Sequence, residues 1–312
     1  MRGDDENTGR QASARVWREV APGTRELLEA GLGAADVRTL LQDVTAARAH
    51  ATRPADVVAR WQQDRFVRPA TSDPRRVAAL EARLWDLVPD DVAGVELSPV
   101  APLGTAVAVG PVSERRIVTT TRLTEVVSDS TNVLAVEAAA RRSGAPRGEQ
   151  VHLAAIHRQL RAQDFGPGAA SHFRLLALVS SARDTGSGRT EAGLLTRHVR
   201  VWQTMLGSTI PHRRPRIEFT VLGDDAVVAE RWRDAVLPAV ADGEVPVVED
   251  ASRERGRGYY TGVALRLVAD DGAAEIGDGG LTTWTAQLLG DRKERCLVSC
   301  LATERLAELA TD

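Results

Sequence analysis

The chain changes texture once, at about residue 95, and that change restricts the fold more than any other feature. Before it the signals are helical. In "DPRRVAALEARLWDLV" Asp73 reads as an N-cap and Pro74 as first-turn residue, with Val77, Leu80, Leu84 and Leu87 on one face. "RPADVVARWQQDRF" uses Pro54 in the same way, and Val37, Leu40, Leu41 and Val44 mark a further stripe. Residues 1 to about 20 are polar and read as frayed. After residue 95 the chain is rich in valine and threonine, with Pro and Gly at the joints, as in "VELSPVAPLGTAVAVG" and "RRIVTTTRLTEVVSD". The expectation is a helical N-terminal region over 1–94 followed by a mixed α/β (α+β) domain over 95–312.

Within that second region "STNVLAVEAAARRSG" reads as a helix capped by Ser130 or Thr131 and stopped at Gly144. "VHLAAIHRQLRAQ" and "HFRLLALVSSARD" read as two strands of a long hairpin joined by "DFGPGAAS". Residues 189 to about 250 hold a helix with Leu194, His198, Val201 and Met205 at helical spacing, a strand "RIEFTVLGD" and a second helix, read together as an inserted subdomain. "EIGDGGLTTWTAQLLG" reads as short and turn-rich, and "RCLVSCLATERLAELA" as a closing strand and helix.

Several function classes can be set aside. A net charge of -3 supplies no broad basic field for nucleic acid. Of the 40 basic residues only Lys293 is lysine, so arginine must fill every cationic role and its abundance says little about phosphate. No stretch approaches a membrane span and the N-terminus lacks an apolar signal region, so a cytoplasmic protein is expected. Cys296 and Cys300 have no partners at zinc spacing and read as buried, reduced thiols; His152, His157, His172, His198 and His212 are scattered without metal-ligand spacing.

Both tyrosines of the chain stand in "RGRGYYTGVALRLV", where Val263, Leu265 and Leu267 alternate with period two. A glycine-rich turn therefore feeds a strand, and such a turn admits close approach of a ligand to the backbone. The ordinary alternative is a surface loop entering a core strand with the tyrosines as anchors.

The segment resembles the "RGLDYYTG" signature of histidyl-tRNA synthetases, with Arg255, Gly256, Tyr259, Tyr260, Thr261 and Gly262 in register. Three further segments resemble the class II synthetase core in the same order. "RAQ" (Arg161 to Gln163) and "HF" (His172 and Phe173) look like motif 2, "ATERL" with Arg305 looks like motif 3, and the stretch around Thr131 is similar to "LRPEGTA". The resemblance covers roughly residues 96 to 312 and implies a class II synthetase-like antiparallel sheet flanked by helices.

It also implies roles. ATP, with Mg2+, would be held by Arg161 on the α-phosphate, Arg305 on the leaving pyrophosphate and Phe173 against adenine, with Gln163 near the amino edge. An arginine fork suits the oxygen pair where charge builds as a carboxylate attacks. Arg255 would approach the reacting centre, while Thr131, Tyr259, Tyr260 and Thr261 would line the substrate pocket. Taken singly, each has an ordinary reading: Arg161 as a solvent-facing strand residue, Phe173 as core, Arg305 as a helix-surface charge.

The departures are informative. "GGLTTWT" at Gly279 to Thr285 replaces the family's "GGRYDGL", so histidine is not the expected substrate. Gly258 stands where the family has aspartate and Gln163 where it has glutamate, which removes carboxylates suited to an ammonium group. Motif 3 lacks its glycines, with Ser299 and Cys300 nearby. The sequence ends a few residues after "ATERL", so the expectation is a catalytic core without an anticodon-binding domain.

Two readings follow. The first is ATP-dependent activation of a carboxylate, an amino acid other than histidine, as its adenylate, with transfer to a carrier protein or small-molecule acceptor rather than tRNA. The second is a silent paralogue that binds a ligand or regulates a partner, similar to the regulatory subunit of ATP phosphoribosyltransferase. Binding of tRNA by the helical N-terminal region is the least supported, for want of a basic stretch. A homodimer is expected through a motif 1-like segment, "LSPVAPLGTAVAVG", whose ordinary reading is a buried strand pair.

Overall fold

A computed structural model describes residues 2–110, 112–163, 171–222, 226–253 and 256–310. Its centre is an eight-stranded sheet in the order β1-β4-β5-β10-β9-β8-β6-β7. The strands are β1 (Ala93–Gly94), β4 (Val151–Leu160), β5 (His172–Arg183), β6 (Arg216–Val221), β7 (Val247–Glu249), β8 (Thr261–Ala269), β9 (Ala274–Thr282) and β10 (Glu294–Ala302). β1 runs parallel to β4 and β7 parallel to β6; every other pairing is antiparallel. A separate ribbon joins β2 (Val100–Pro102) to β3 (Thr124–Val126).

Period-two alternation gives the sheet two buried faces. On one lie the helices Pro74–Asp86, Arg189–Thr209 and Thr303–Leu309, whose Leu84, Trp202, Met205 and Leu306 meet Leu176, Leu178, Leu265, Leu297 and Leu301. On the other, the Ser130–Gly144 and Trp284–Leu289 helices bring Leu134, Ala138 and Trp284 against Leu153, Ala177, Val179 and Val298. Val77, Leu80 and Leu84 are buried as their spacing predicts, with the Asp73 carboxylate accepting from the Arg75 amide at the cap.

Three expectations meet a different outcome. The segment over 189–250 supplies the Arg189–Thr209 helix to one face and extends the same sheet through β6 and β7, instead of standing apart as a lobe. The stretch from Arg2 to Glu19 is helical where fraying was expected. "EIGDGGLTT", which reads as turn-rich, is the strand β9 between β8 and β10. Its glycines serve close packing: a Cβ on Gly277 would lie 2.2 Å from the Cys300 carbonyl oxygen, and one on Gly280 would lie 2.6 Å from the Tyr260 ring.

The helix from Pro74 is tied to the sheet by ions. Arg174 on β5 forks onto Glu81, 2.7 Å at both contacts, and Thr303 donates to the same carboxylate. Glu304 accepts from Arg158, Ser72 and the Arg174 amide. Texture changes at 95, but packing does not divide there.

Under the Arg189–Thr209 helix runs a buried polar chain. The Trp202 indole donates to the Ser299 hydroxyl, which lies 2.7 Å from His198 Nδ1; His198 Nε2 and His152 Nδ1 share the Ser180 hydroxyl at 2.9 and 2.8 Å. Two neutral imidazoles satisfy this chain, because each then offers one donor and one acceptor. Burial pushes His198 down to about 3 and His152 down to about 4. Below pH 6.5 the unfolded chain therefore takes up protons that the folded chain refuses, and stability falls with pH down towards those lower values. Between pH 7 and 5 the loss is about 2–4 kcal/mol from the two groups. Urea unfolding at both pH values reads it, and His198→Gln should reduce the drop by about half; an undiminished drop would rule out this source.

Candidate functional site

The face bearing the second hydrophobic cluster carries most of the residues singled out by sequence. Arg161 follows β4 directly, and Phe173 lies on β5 across the hairpin. The Arg161 Nε donates to the Ser128 carbonyl at 2.8 Å, Nη2 reaches Asp129 at 3.3 Å, and the guanidinium carbon lies 5.1 Å from the centre of the Phe173 ring. Arg161 is thus held on one side only. Among the described residues its Nη1 has no partner, so a donor pair stays available to an anion.

Asp129 is the hinge of this arrangement. One oxygen caps the Ser130–Gly144 helix by accepting from the amide and hydroxyl of Thr131, while the other meets Arg161. Thr131 is buried, and its hydroxyl is given to that cap.

The glycine-rich turn enters β8. Gly256 and Gly258 take φ of 95° and 80°, and the amides of Tyr259 and Tyr260 both donate to the Gly256 carbonyl. The tyrosine rings meet edge to face at 4.9 Å, and Trp284 closes on Tyr259 at 5.5 Å. Tyr260 lies over Gly280. The two rings therefore anchor the core, as the ordinary reading has it, and Trp284 of "GGLTTWT" packs against them. Their hydroxyls are held well above the ordinary tyrosine range by burial first, and then by Asp129 and Asp278.

Beneath them, Asp278 on β9 pairs in register with Cys300 on β10, and the thiol donates to the carboxylate at 3.4 Å. Both side chains are half-buried. Burial pushes Asp278 up, and it pushes Cys300 well above the usual thiol value. Arg253, buried, donates Nη1 to the Leu265 carbonyl beside them. The thiols of Cys296 and Cys300 are both free, with Cys296 buried and pushed up to about 11.

The remaining predicted residues are more dispersed. Arg305 is exposed, and its guanidinium donates to the Glu275 carbonyl. Thr261 is exposed at the start of β8. Gln163 is half-buried, with its carbonyl accepting from Arg65 at 2.8 Å. Arg255 and the loop 164–170 lie outside the described residues. Arg65 itself was not foreseen: it also holds Ser171 and the Ala162 carbonyl, so the N-terminal region grips both ends of that loop. Asp129, Asp278 and Cys300 were missed as well. The aspartate directly before "STN" is a cap signal that could have revealed the first.

For ATP the fit is partial. A half-exposed guanidinium with a spare donor pair, beside a half-buried phenyl ring, suits a phosphate next to a planar base. No three His, Cys, Asp or Glu side chains converge as a metal site among the described residues.

The fold is that of a class II synthetase-like core: a mixed, largely antiparallel eight-stranded sheet with helices on both faces. No family model and no curated protein sequence matches the chain. Solved structures do match in shape. Apo histidyl-tRNA synthetase of Staphylococcus aureus aligns at TM-score 0.55 and 16% identity, over 75% of this chain and 64% of that one. A Bacillus halodurans protein described as an ATP phosphoribosyltransferase regulatory subunit/histidyl-tRNA synthetase aligns at 0.58 and 12%, over 78% and 82%. A putative threonyl-tRNA synthetase of Aeropyrum pernix aligns at 0.51 and 12%, over 74% and 57%. The chain thus spans less than two thirds of the Staphylococcus enzyme. No described helix is long and apolar enough to cross a membrane.

Proposed function

We propose that the chain binds ATP on this face and activates a carboxylate as its acyl-adenylate, for transfer to an acceptor other than tRNA. The supporting observation is Arg161, fixed by Ser128 and Asp129 over Phe173 with donors to spare. Placed so, a guanidinium can take the α-phosphate oxygens as negative charge develops there. Arg255 belongs to this proposal through its place in the signature, and Arg305 would need to exchange the Glu275 carbonyl for a phosphate. Homodimerisation is part of it too: in the motif 1-like segment Leu103 and Val107 are about half exposed.

A second reading has its own support. Trp284 and Tyr260 crowd Tyr259, and the Arg305 guanidinium is already engaged, as suits a site that binds a ligand without turning it over. The test is ATP–pyrophosphate exchange with purified protein across the twenty amino acids and a panel of other carboxylates. Exchange with one compound supports adenylate chemistry and names the substrate. Its absence with every compound, while ATP or an amino acid still raises the melting temperature, supports the ligand-binding regulator.

A further inference from the structure

We propose that the cavity on the outer side of the Arg189–Thr209 helix is a second small-molecule site, for a ligand with an oxyanion head and an apolar body. It lies across the sheet from Arg161, Phe173 and the tyrosines, and it goes beyond the adenylate reading without depending on it.

The cavity measures about 640 Å³, within the range of small-molecule sites. One wall is a stripe of the helix, with Gly193, Arg197, Arg200 and Thr204 at spacings of three and four. Leu87 and Pro89, after the Pro74–Asp86 helix, supply an apolar wall opposite. Arg197 ties the two across the rim, with Nη1 2.8 Å and Nη2 2.7 Å from the Asp91 carboxylate oxygens.

Gly193 is the residue that ordinary packing does not explain. Inside a helix a glycine costs stability relative to alanine. Its φ lies outside the left-handed region, and a Cβ on it would meet nothing within 4 Å. Neither a turn nor a close approach requires it, in contrast to Gly277 and Gly280. What the missing side chain does is keep the cavity open one turn before Arg197 and two before Arg200.

The polar lining is rich in donors. Two arginines line the cavity and no carboxylate does. Arg200 gives Nη2 to the Ala239 carbonyl and, at 3.3 Å, to Asp242, which leaves Nε and Nη1 without partners among the described residues. The pair with Asp242 is exposed, 53% and 74%, so that carboxylate offsets little of the charge. The Thr196 hydroxyl and the Gln150 side-chain amide also line the cavity and make no hydrogen bond among the described residues. A guanidinium with two spare donors beside a hydroxyl and an amide suits a carboxylate or phosphate oxygen pair, and a cation would meet repulsion.

The experiment is calorimetric titration of the purified protein with hexanoate, phenylacetate and phenyl phosphate. Each is set beside its uncharged counterpart (hexanamide, phenylacetamide, phenol), with acetate and inorganic phosphate as bare anions. The proposal expects at least one of the three to bind about tenfold more tightly than both its uncharged counterpart and the bare anion. A preferred carboxylate and a preferred phosphate monoester would name different ligand classes, and either supports the site. Arg200→Gln should weaken the preferred probe about tenfold. Gly193→Leu should abolish binding by filling the cavity, whereas Gly193→Ala should keep binding and raise the melting temperature. Saturating ATP, or Arg161→Ala, should leave the affinity within about twofold, since neither acts on this face. Binding of no probe more tightly than about 5 mM overturns the assignment. So does equal binding of the uncharged counterparts, or an affinity that survives both Arg200→Gln and Gly193→Leu. A probe displaced by ATP and weakened by Arg161→Ala belongs to the other face, which overturns it as well.

Discussion

Arg142→Met lowers the unfolding free energy by about 3–5 kcal/mol, the loss expected when one member of a buried ion pair is removed. Arg142 ends the Ser130–Gly144 helix with its side chain 3% exposed and forks onto Glu294 of β10, itself 4% exposed, at 2.9 and 3.1 Å. It also donates to the carbonyls of Pro146 and Glu149, closing the turn that leads into β4. Without it, among the described residues Glu294 keeps a Ser181 hydroxyl at 3.5 Å and Arg183 at 4.0 Å. The double variant Arg142→Met with Glu294→Leu should recover most of the loss, because no charge is then stranded. Urea midpoints at unchanged slope measure both. A single-variant loss under about 1 kcal/mol would place the pair in the range of surface ion pairs and refute the account.

Under the proposed adenylation, Arg161→Ala should reduce pyrophosphate exchange by about 10²–10³-fold, the range seen when one donor to a developing oxyanion is deleted. The fold should survive, since Arg161 is half-exposed and the Asp129 cap keeps its bonds to Thr131. Arg161→Lys should restore little. Lysine returns the charge but not the planar fork that binds the Ser128 carbonyl and Asp129 beside the Phe173 ring. Exchange that persists within threefold of wild type in the alanine variant would remove Arg161 from the reaction. An unchanged melting temperature in that variant would make the loss a matter of chemistry rather than of folding.

Local signals carried the element list a long way. The hairpin of β4 and β5, the helix from Ser130 and the strand and helix that end the chain follow from period and turn signals, although the helix is capped by Asp129 and not by Ser130 or Thr131. What local signals do not contain is pairing. β6 joins β8 through Ile217 opposite Leu267, partners 50 positions apart, so a stretch that reads as an insertion belongs to the main sheet. β9 was missed for a related reason. Its glycines look like turn residues until Cys300 and Tyr260 are seen pressed against them. The site divides in the same way. Arg161, Phe173 and the tyrosines could be found through resemblance, whereas Asp278 and Arg65 gain meaning only from neighbours distant in sequence.

The Arg65 grip bears on the order in which the molecule matures. The β4–β5 hairpin closes a short loop and can form early, whereas Arg65 meets Gln163 across a separation of 98 residues. Closing so wide a loop costs entropy before any contact compensates it. The contacts of Arg65 with Ala162, Gln163 and Ser171 are therefore among the last to set during refolding, after the sheet. A chain with its first seventy residues removed would lose that late step, leaving Ala162 and Ser171 held only by the ties from Arg116 and Arg161 among the described residues.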